Sequence, residues 1–257
     1  MSGPALADAD DGRICLALET ATATASVALL CGSRVLALRS GPDGQHHSET
    51  LLPMIDEALG AAGVGLADVG AFAVSIGPGA FTSLRIGLAT LKGLAFASPC
   101  PAVAVSTLQA LALTAERAVE GPAGGVTVPV LDARRGEVYA GAYANADLGG
   151  DLAALSLRVP ESVYRAAGLA AALPQGGRLV GEGAAVVAEA LLADAEGHWS
   201  VEADVPRVPD AVAVGLLGLA RLSAGAGGPV ADLVPHYLRR AEAEATRMAE
   251  PLESTEG

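Results

Sequence analysis

The spacing of hydrophobic residues along this chain switches from strand-like to helix-like, and then does so a second time. Ile14, Leu16 and Leu18 alternate with period two, the polar run Glu19 to Thr24 follows, and Ser26 to Leu30 is again apolar. A turn at Gly32-Ser33 and a third run, Arg34 to Leu38, complete the pattern of an antiparallel meander. From His47 to Ala62 the period lengthens: Leu51, Ile55, Leu59 and Ala62 share one helical face, with Leu52 and Ala58 beside them. A strand over Ala71 to Ile76 then runs into Gly77-Pro78-Gly79, and a second helix over Thr82 to Ala97 carries Leu84, Leu88, Leu91 and Ala95 as a stripe. Ala102 to Val105 reads as the next strand. Ser106 followed three residues later by Gln109 has capping-box spacing, which predicts a helix to about Val119.

Gly and Pro cluster at Gly121 to Gly125, where a joint between lobes is expected, and the pattern then restarts. Val126 to Leu131 and Glu137 to Tyr143 read as strands of a hairpin closed by Asp132 to Gly136. Pro160 marks a helix start, Leu179 and Val180 a short strand, and Ala184 to Leu192 and Ala211 to Leu222 two helices. Strands followed by helices, twice over, predict an α/β chain of two related lobes at 13–120 and 121–240, with a disordered lead-in at 1–12 and a charged tail at 241–257.

Aromatic residues are only 3% of the chain, so the core must rest on Ala, Val and Leu in closely approaching layers. The net charge of -13 repels a phosphate backbone unless basic residues are segregated, and the only adjacent basic pairs are Arg134-Arg135 and Arg239-Arg240, which read as solvated edges. The chain is not expected to grip nucleic acid alone. Cys15, Cys31 and Cys100 lack metal spacing, and the acidic start is unlike a secretory signal, both pointing to a reducing cytoplasm. The apolar stretch from Ile14 to Cys31 is broken by Glu19 and threonines, so no membrane span is expected. His46 and His47 are adjacent and would point apart, and neither His198 nor His236 has a helical i, i+4 partner, so no protein-ligated metal is expected.

Two segments could face an anion. Ser75 to Arg85 places small residues after a strand and free amides at a helix start, with Gly77, Gly79, Ser83 and Arg85 the candidates. Glu19 and Thr20, at the end of the first strand, could reach a nucleotide phosphate through a metal ion. Each has a plainer reading, tight strand-to-helix packing for the first and a polar turn for the second. The polar hairpin of Asp132, Arg134, Arg135 and Glu137 could touch a partner or simply be solvated. No G-x-S-x-G elbow and no protease-type cysteine motif occurs. The two N-terminal helices carry apolar residues beyond one stripe, Leu52 and Met54 on the first and Ile86 and Phe96 on the second, which suggests surface for another protein.

Several of these segments together resemble the bacterial TsaB family, once labelled glycoprotease-like. They are Leu16-Ala17-Leu18-Glu19-Thr20, His47-Ser48 with Leu51-Leu52-Pro53, Gly77 through Gly87, Ser106-Thr107-Leu108, Asp132-Ala133-Arg134-Arg135-Gly136-Glu137-Val138-Tyr139 and Tyr237-Leu238-Arg239, in family order over residues 13 to about 240. The resemblance implies an actin-like (ASKHA) fold of two ribonuclease-H-like lobes with mixed sheets flanked by helices. It implies a scaffold subunit without catalysis of its own, in the complex that makes threonylcarbamoyladenosine in tRNA. The paralogue TsaD performs the transfer to the adenosine beside the anticodon, using threonylcarbamoyl-adenylate made by another enzyme.

TsaD-like proteins bind metal through a His-x-x-x-His helix, and here Thr107 and Leu111 stand at those places. The resemblance also implies that the two N-terminal helices form a four-helix bundle with the equivalent pair of TsaD. Leu51, Leu52, Met54, Ile55, Leu84, Leu88 and Leu91 are the expected facing residues. The heterodimer would recruit the ATPase TsaE, tRNA would be met only through the complex, and the free chain could pair with itself. No cofactor of its own is implied, with ATP or ADP at the partner interface as the one exception. The competing readings are an actin-like ATPase using Glu19 and the Gly77 loop, and a glycoprotease-like peptidase.

Overall fold

The computed structural model describes residues 12–42, 44–119, 125–145, 155–173, 176–192, 199–201 and 204–239. The expected lead-in up to residue 11, the joint at 121–124, His198 and the tail beyond residue 239 lie outside the described residues. The first sheet is built from β1 (Ile14–Glu19), β2 (Ser26–Cys31), β3 (Arg34–Ser40), β4 (Val69–Ser75) and β5 (Ala102–Val105), in the order β3-β2-β1-β4-β5. β1, β2 and β3 pair antiparallel, while β4 and β5 join in parallel. The second sheet uses β6 (Gly125–Asp132), β7 (Glu137–Asn145), β8 (Leu155–Arg165), β9 (Gly177–Val180) and β10 (Trp199–Val201), in the order β10-β9-β6-β7-β8. Its first three strands also pair antiparallel and its last two in parallel. The two sheets therefore share one topology, the ribonuclease-H-like pattern repeated, and the actin-like architecture is present in full.

Helices α1 (His47–Ala62) and α2 (Phe81–Ala97) cover one face of the first sheet. Their apolar stripes are spent on that packing. Leu91 is completely buried, and Leu51, Ile55, Leu88 and Met54 nearly so, among Leu16, Leu18, Phe72 and Val74 of the strands, while Leu84, also completely buried, lies beside Gly77. Six of the seven side chains expected to face a partner are thus core of this chain, because a stripe at helical spacing satisfies the sheet first. Leu52 is the exception, 56% exposed, and Phe96 of α2 is 92% exposed.

The other face of the first sheet is covered by α6 (Ala211–Ser223), while α3 (Thr107–Ala118) lies between α6 and the second sheet, and the two helices share an apolar cluster with side chains of both lobes. Helices α4 (Ala166–Ala172) and α5 (Ala184–Leu192) belong to the second lobe. The placement of α6 corrects the expected lobe boundary. Residues 121–240 do not form one lobe, because α6 returns to lie on β1, β2 and β4. The reason is its small-residue face: a Cβ on Gly215 would meet Leu30 Cδ1 at 2.3 Å and one on Gly218 would meet Ala73 Cβ at 2.5 Å, so helix and sheet backbones approach closely. The chain after it stays with the first lobe, where Gly228 bridges Ala102 and the His236 amide donates to the Ile76 carbonyl at 2.7 Å.

Two further expectations are corrected. Pro160 does not begin a helix; it lies inside β8, an edge strand, at a register shift against β7 where its missing N–H costs no ladder bond. The Ser106–Gln109 capping box is half made. Ser106 Oγ accepts from the amides of Leu108 and Gln109, but the Gln109 side chain accepts from Arg221 at 2.6 Å instead of turning back. Among the described residues no helix is long and apolar enough to cross a membrane.

Candidate functional site

A cleft of about 720 Å³ opens where the two lobes meet. One wall comes from the turn after β4 and the start of α2, through Pro78, Gly79 and Phe81, joined by the returning segment His236 to Arg239. The facing wall is the β6–β7 hairpin, Ala133 to Arg135 with Glu137 and Tyr139, and Arg165 at the end of β8.

The Gly-Pro-Gly turn is shaped by crowding. Gly77 has φ 121°, and a Cβ there would lie 2.5 Å from the His236 carbonyl oxygen. A Cβ on Gly79 would lie 2.4 Å from the Ala21 carbonyl oxygen, so the turn is pressed against the polar turn that follows β1. Both positions need glycine for packing, as the plainer reading had it, although Gly79 also lines the cleft. Arg85 is exposed, with its guanidinium 3.8 Å over the Phe81 ring and its Nε–H donating to the Tyr237 hydroxyl at 3.1 Å. Phe81 in turn stacks on Tyr237 with centroids 4.8 Å apart. Arg85 thus braces one wall of the cleft, while Ser83 is half-buried and does not line it.

Glu19 and Thr20 lie outside the cleft lining and are completely buried. Glu19 Oε1 accepts from the Ala21 amide at 2.6 Å, and the Thr20 amide donates to Ser75 Oγ at 3.4 Å. Glu19 Oε2 and Thr20 Oγ1 have no hydrogen-bond partner. Burial pushes the Glu19 carboxyl up to about 7, against the hydrogen bonds from Ser75 and Ala21 that favour the anion. The carboxyl is sealed from solvent and does not face the cleft.

His47 is buried, with Nε2 2.9 Å from the Thr22 carbonyl oxygen, whereas His236 is exposed at the cleft. Thr107 and Leu111 are both completely buried. Among the described residues no three His, Cys, Asp or Glu side chains gather as metal ligands would.

The hairpin wall of the cleft is rich in arginine. Arg134 and Arg135 are exposed, as a solvated edge would be, and line the cleft together with Arg165 and Arg239; Glu137 is the acidic residue of the described lining, and Asp132 lies 4.0 Å from Arg134. Arg239 binds the Ala133 carbonyl at 2.6 Å and pairs with Glu137, pinning the hairpin to the first lobe's returning segment. The turn is tight: Arg134, Arg135 and Gly136 all have positive φ, at 66°, 58° and 73°, and Asp132 Oδ1 accepts from the Arg134 amide at 2.7 Å. Arg165 had no local signal, because only tertiary folding carries the end of β8 to the hairpin.

A family model described as tRNA N6-adenosine threonylcarbamoyltransferase, TsaD, matches residues 43–245. A crystal structure from Pseudomonas aeruginosa, described as similar to peptidase YeaZ, superposes with TM-score 0.74 and 32% identity, covering 88% of this chain and all of that one. The chain belongs to the TsaD family and, within it, to the TsaB (YeaZ) proteins. Curated members named tRNA threonylcarbamoyladenosine biosynthesis protein TsaB are 40% identical over 124 residues in Haemophilus influenzae and 39% identical over 131 residues in Escherichia coli. Those alignments cover 48% and 50% of this chain, and the chain spans about half the length of these curated TsaB relatives, 51% and 54%.

Proposed function

We propose that this chain is a non-catalytic subunit of the machinery that makes threonylcarbamoyladenosine in tRNA, acting by binding and supporting TsaD, which performs the transfer. The observation that carries this reading is the state of α3. At the positions where the resemblance puts the paralogue's metal-binding histidines, this chain has Thr107 and Leu111, both packed out of reach of solvent. Neither side chain can ligate a metal as imidazole does. The names of the curated relatives place them in the same biosynthesis.

The contact with TsaD is assigned to the outward sides of α1 and α2. Leu52 and Phe96 are large apolar side chains left in solvent after both helices have satisfied their own sheet. TsaE would join through the heterodimer, and this chain needs no cofactor of its own, any ATP or ADP belonging to the assembled interface. The deciding experiment is co-purification of tagged chain with cognate TsaD, paired with a transfer assay of each component alone. Retention of TsaD with no transfer by this chain alone supports the reading; transfer by the isolated chain overturns it.

A further inference from the structure

We propose that the arginine-lined cleft between the lobes is an RNA-backbone site, through which this chain contributes phosphate contacts of its own to the tRNA on which the assembly works. The proposal rests on the subunit reading above for the identity of the RNA, and on three independent features of the cleft for its chemistry.

The first feature is charge. In a chain with net charge -13, the described cleft lining gathers Arg134, Arg135, Arg165 and Arg239 with Glu137 as its acidic member; Glu137 pairs with Arg239, and Asp132 lies 4.0 Å from Arg134, whose side chain stays 87% exposed. In a chain of net negative charge, a polyanion is attracted only where arginines gather, and the cleft is such a place. The second feature is backbone strain. A non-glycine residue in the left-handed region is strained, yet two consecutive arginines hold φ 66° and 58° at the tip facing the cleft. Asn or Gly would close the same hairpin more cheaply, so what arginine adds there is the guanidinium. The third is shape. About 720 Å³ far exceeds a single phosphate, and Arg134 and Arg165 are exposed at separate points of one wall, the end of the hairpin and the end of β8. Guanidinium forks spread along a groove suit successive phosphates of one strand better than a compact ion.

The test uses the full chain in complex with TsaD, fluorescently labelled tRNA transcript, and the R134E/R165E double variant. The subunit reading is checked separately by TsaD retention, which the variant should keep. The expected result is at least a ten-fold loss of tRNA affinity at low salt and a shallower dependence of affinity on salt, by about 1.4 to 1.8 in log-log slope for two lost contacts. Unchanged tRNA affinity with TsaD retained overturns the cleft site while leaving the subunit role standing. Should the double variant unfold, the milder R134Q and R165Q single variants take its place, each expected to lose affinity by a factor of several, and no loss in either overturns the proposal. Two competitors separate the sources of anion: displacement of tRNA from the wild-type complex by tripolyphosphate or by polyglutamate at equal charge concentration, as effective as by unlabelled tRNA, would mean a small-anion or acidic-peptide site and refute the assignment to RNA.

Discussion

Ser106, the N-cap of α3 in the first lobe, donates its hydroxyl to the Glu161 carboxylate on β8 of the second lobe at 2.5 Å. The Tyr143 hydroxyl donates to the same carboxylate oxygen, and burial together with the Glu161 charge keeps that phenol from ionising. One carboxylate thus ties the start of α3, just after β5 of the first sheet, to β7 and β8 of the second. Glu161→Ala leaves two donors without an acceptor and should lower unfolding free energy by roughly 2–3 kcal/mol, measured by urea titration. In a double-mutant cycle with Ser106→Ala, the coupling should be about 1 kcal/mol or more. An additive cycle would show that the contact does not join the lobes.

Glu19 sets a pH dependence of the opposite sense from a salt-bridged acid. Its folded pKa lies near 7 against 4.5 for the free group, so between those values the folded chain keeps a proton that the unfolded chain has released. The Glu19 contribution to stability therefore falls as pH rises from about 4.5 to 7 and levels off above, a loss on the order of 3 kcal/mol. Glu19→Gln retains an acceptor for the Ala21 amide and removes the charge. The variant should match the parent near pH 4.5 and exceed it at pH 8; equal pH profiles would rule out a buried neutral carboxyl here.

On α1, neighbouring leucines should behave as opposites. Leu51 is 1% exposed within the core, so Leu51→Asp should unfold the first lobe, at a cost of several kcal/mol seen as collapse of the thermal transition. Leu52→Asp with Phe96→Asp should leave the melting temperature nearly unchanged and weaken TsaD binding by about 2 kcal/mol or more, read by co-purification and by titration calorimetry. Full TsaD affinity in the double variant would move the interface elsewhere.

The stack of Arg85 on Phe81 and of Phe81 on Tyr237 ties α2 to the returning segment. Tyr237→Phe removes only the hydroxyl that accepts from Arg85 and should cost about 1 kcal/mol or less. Tyr237→Ala removes the stack as well and should cost clearly more, with faster amide exchange in the His236 to Arg239 segment. Equal losses in the two variants would mean that the ring contact contributes nothing.

Local periodicity carried most of the architecture. The alternation at Ile14, Leu16 and Leu18 and the spacing of Leu51, Ile55 and Leu59 are each decided within a few residues, and β1 and α1 formed where expected. What failed depended on partners far along the chain. The same stripe that identified α1 was assigned to another protein, because sequence spacing reports an apolar face but not which surface covers it. Pro160 was read by its usual helix-start habit, and only the edge position of β8 explains it. Arg134 and Arg135 are exposed as a solvated pair would be, but that Arg165 and Arg239 stand beside them is fixed by a hairpin, a strand end and a returning segment at once, which no local spacing reports.

The return of α6 to the first sheet makes the order of synthesis matter. The floor under β1, β2 and β4 is supplied by α6, which begins only at Ala211, so the first half of a nascent chain emerges with one side of its sheet bare. Neither half can be cut free as a self-sufficient unit, and a polypeptide halted before Ala211 would carry an uncovered apolar sheet into the crowded surroundings of the ribosome.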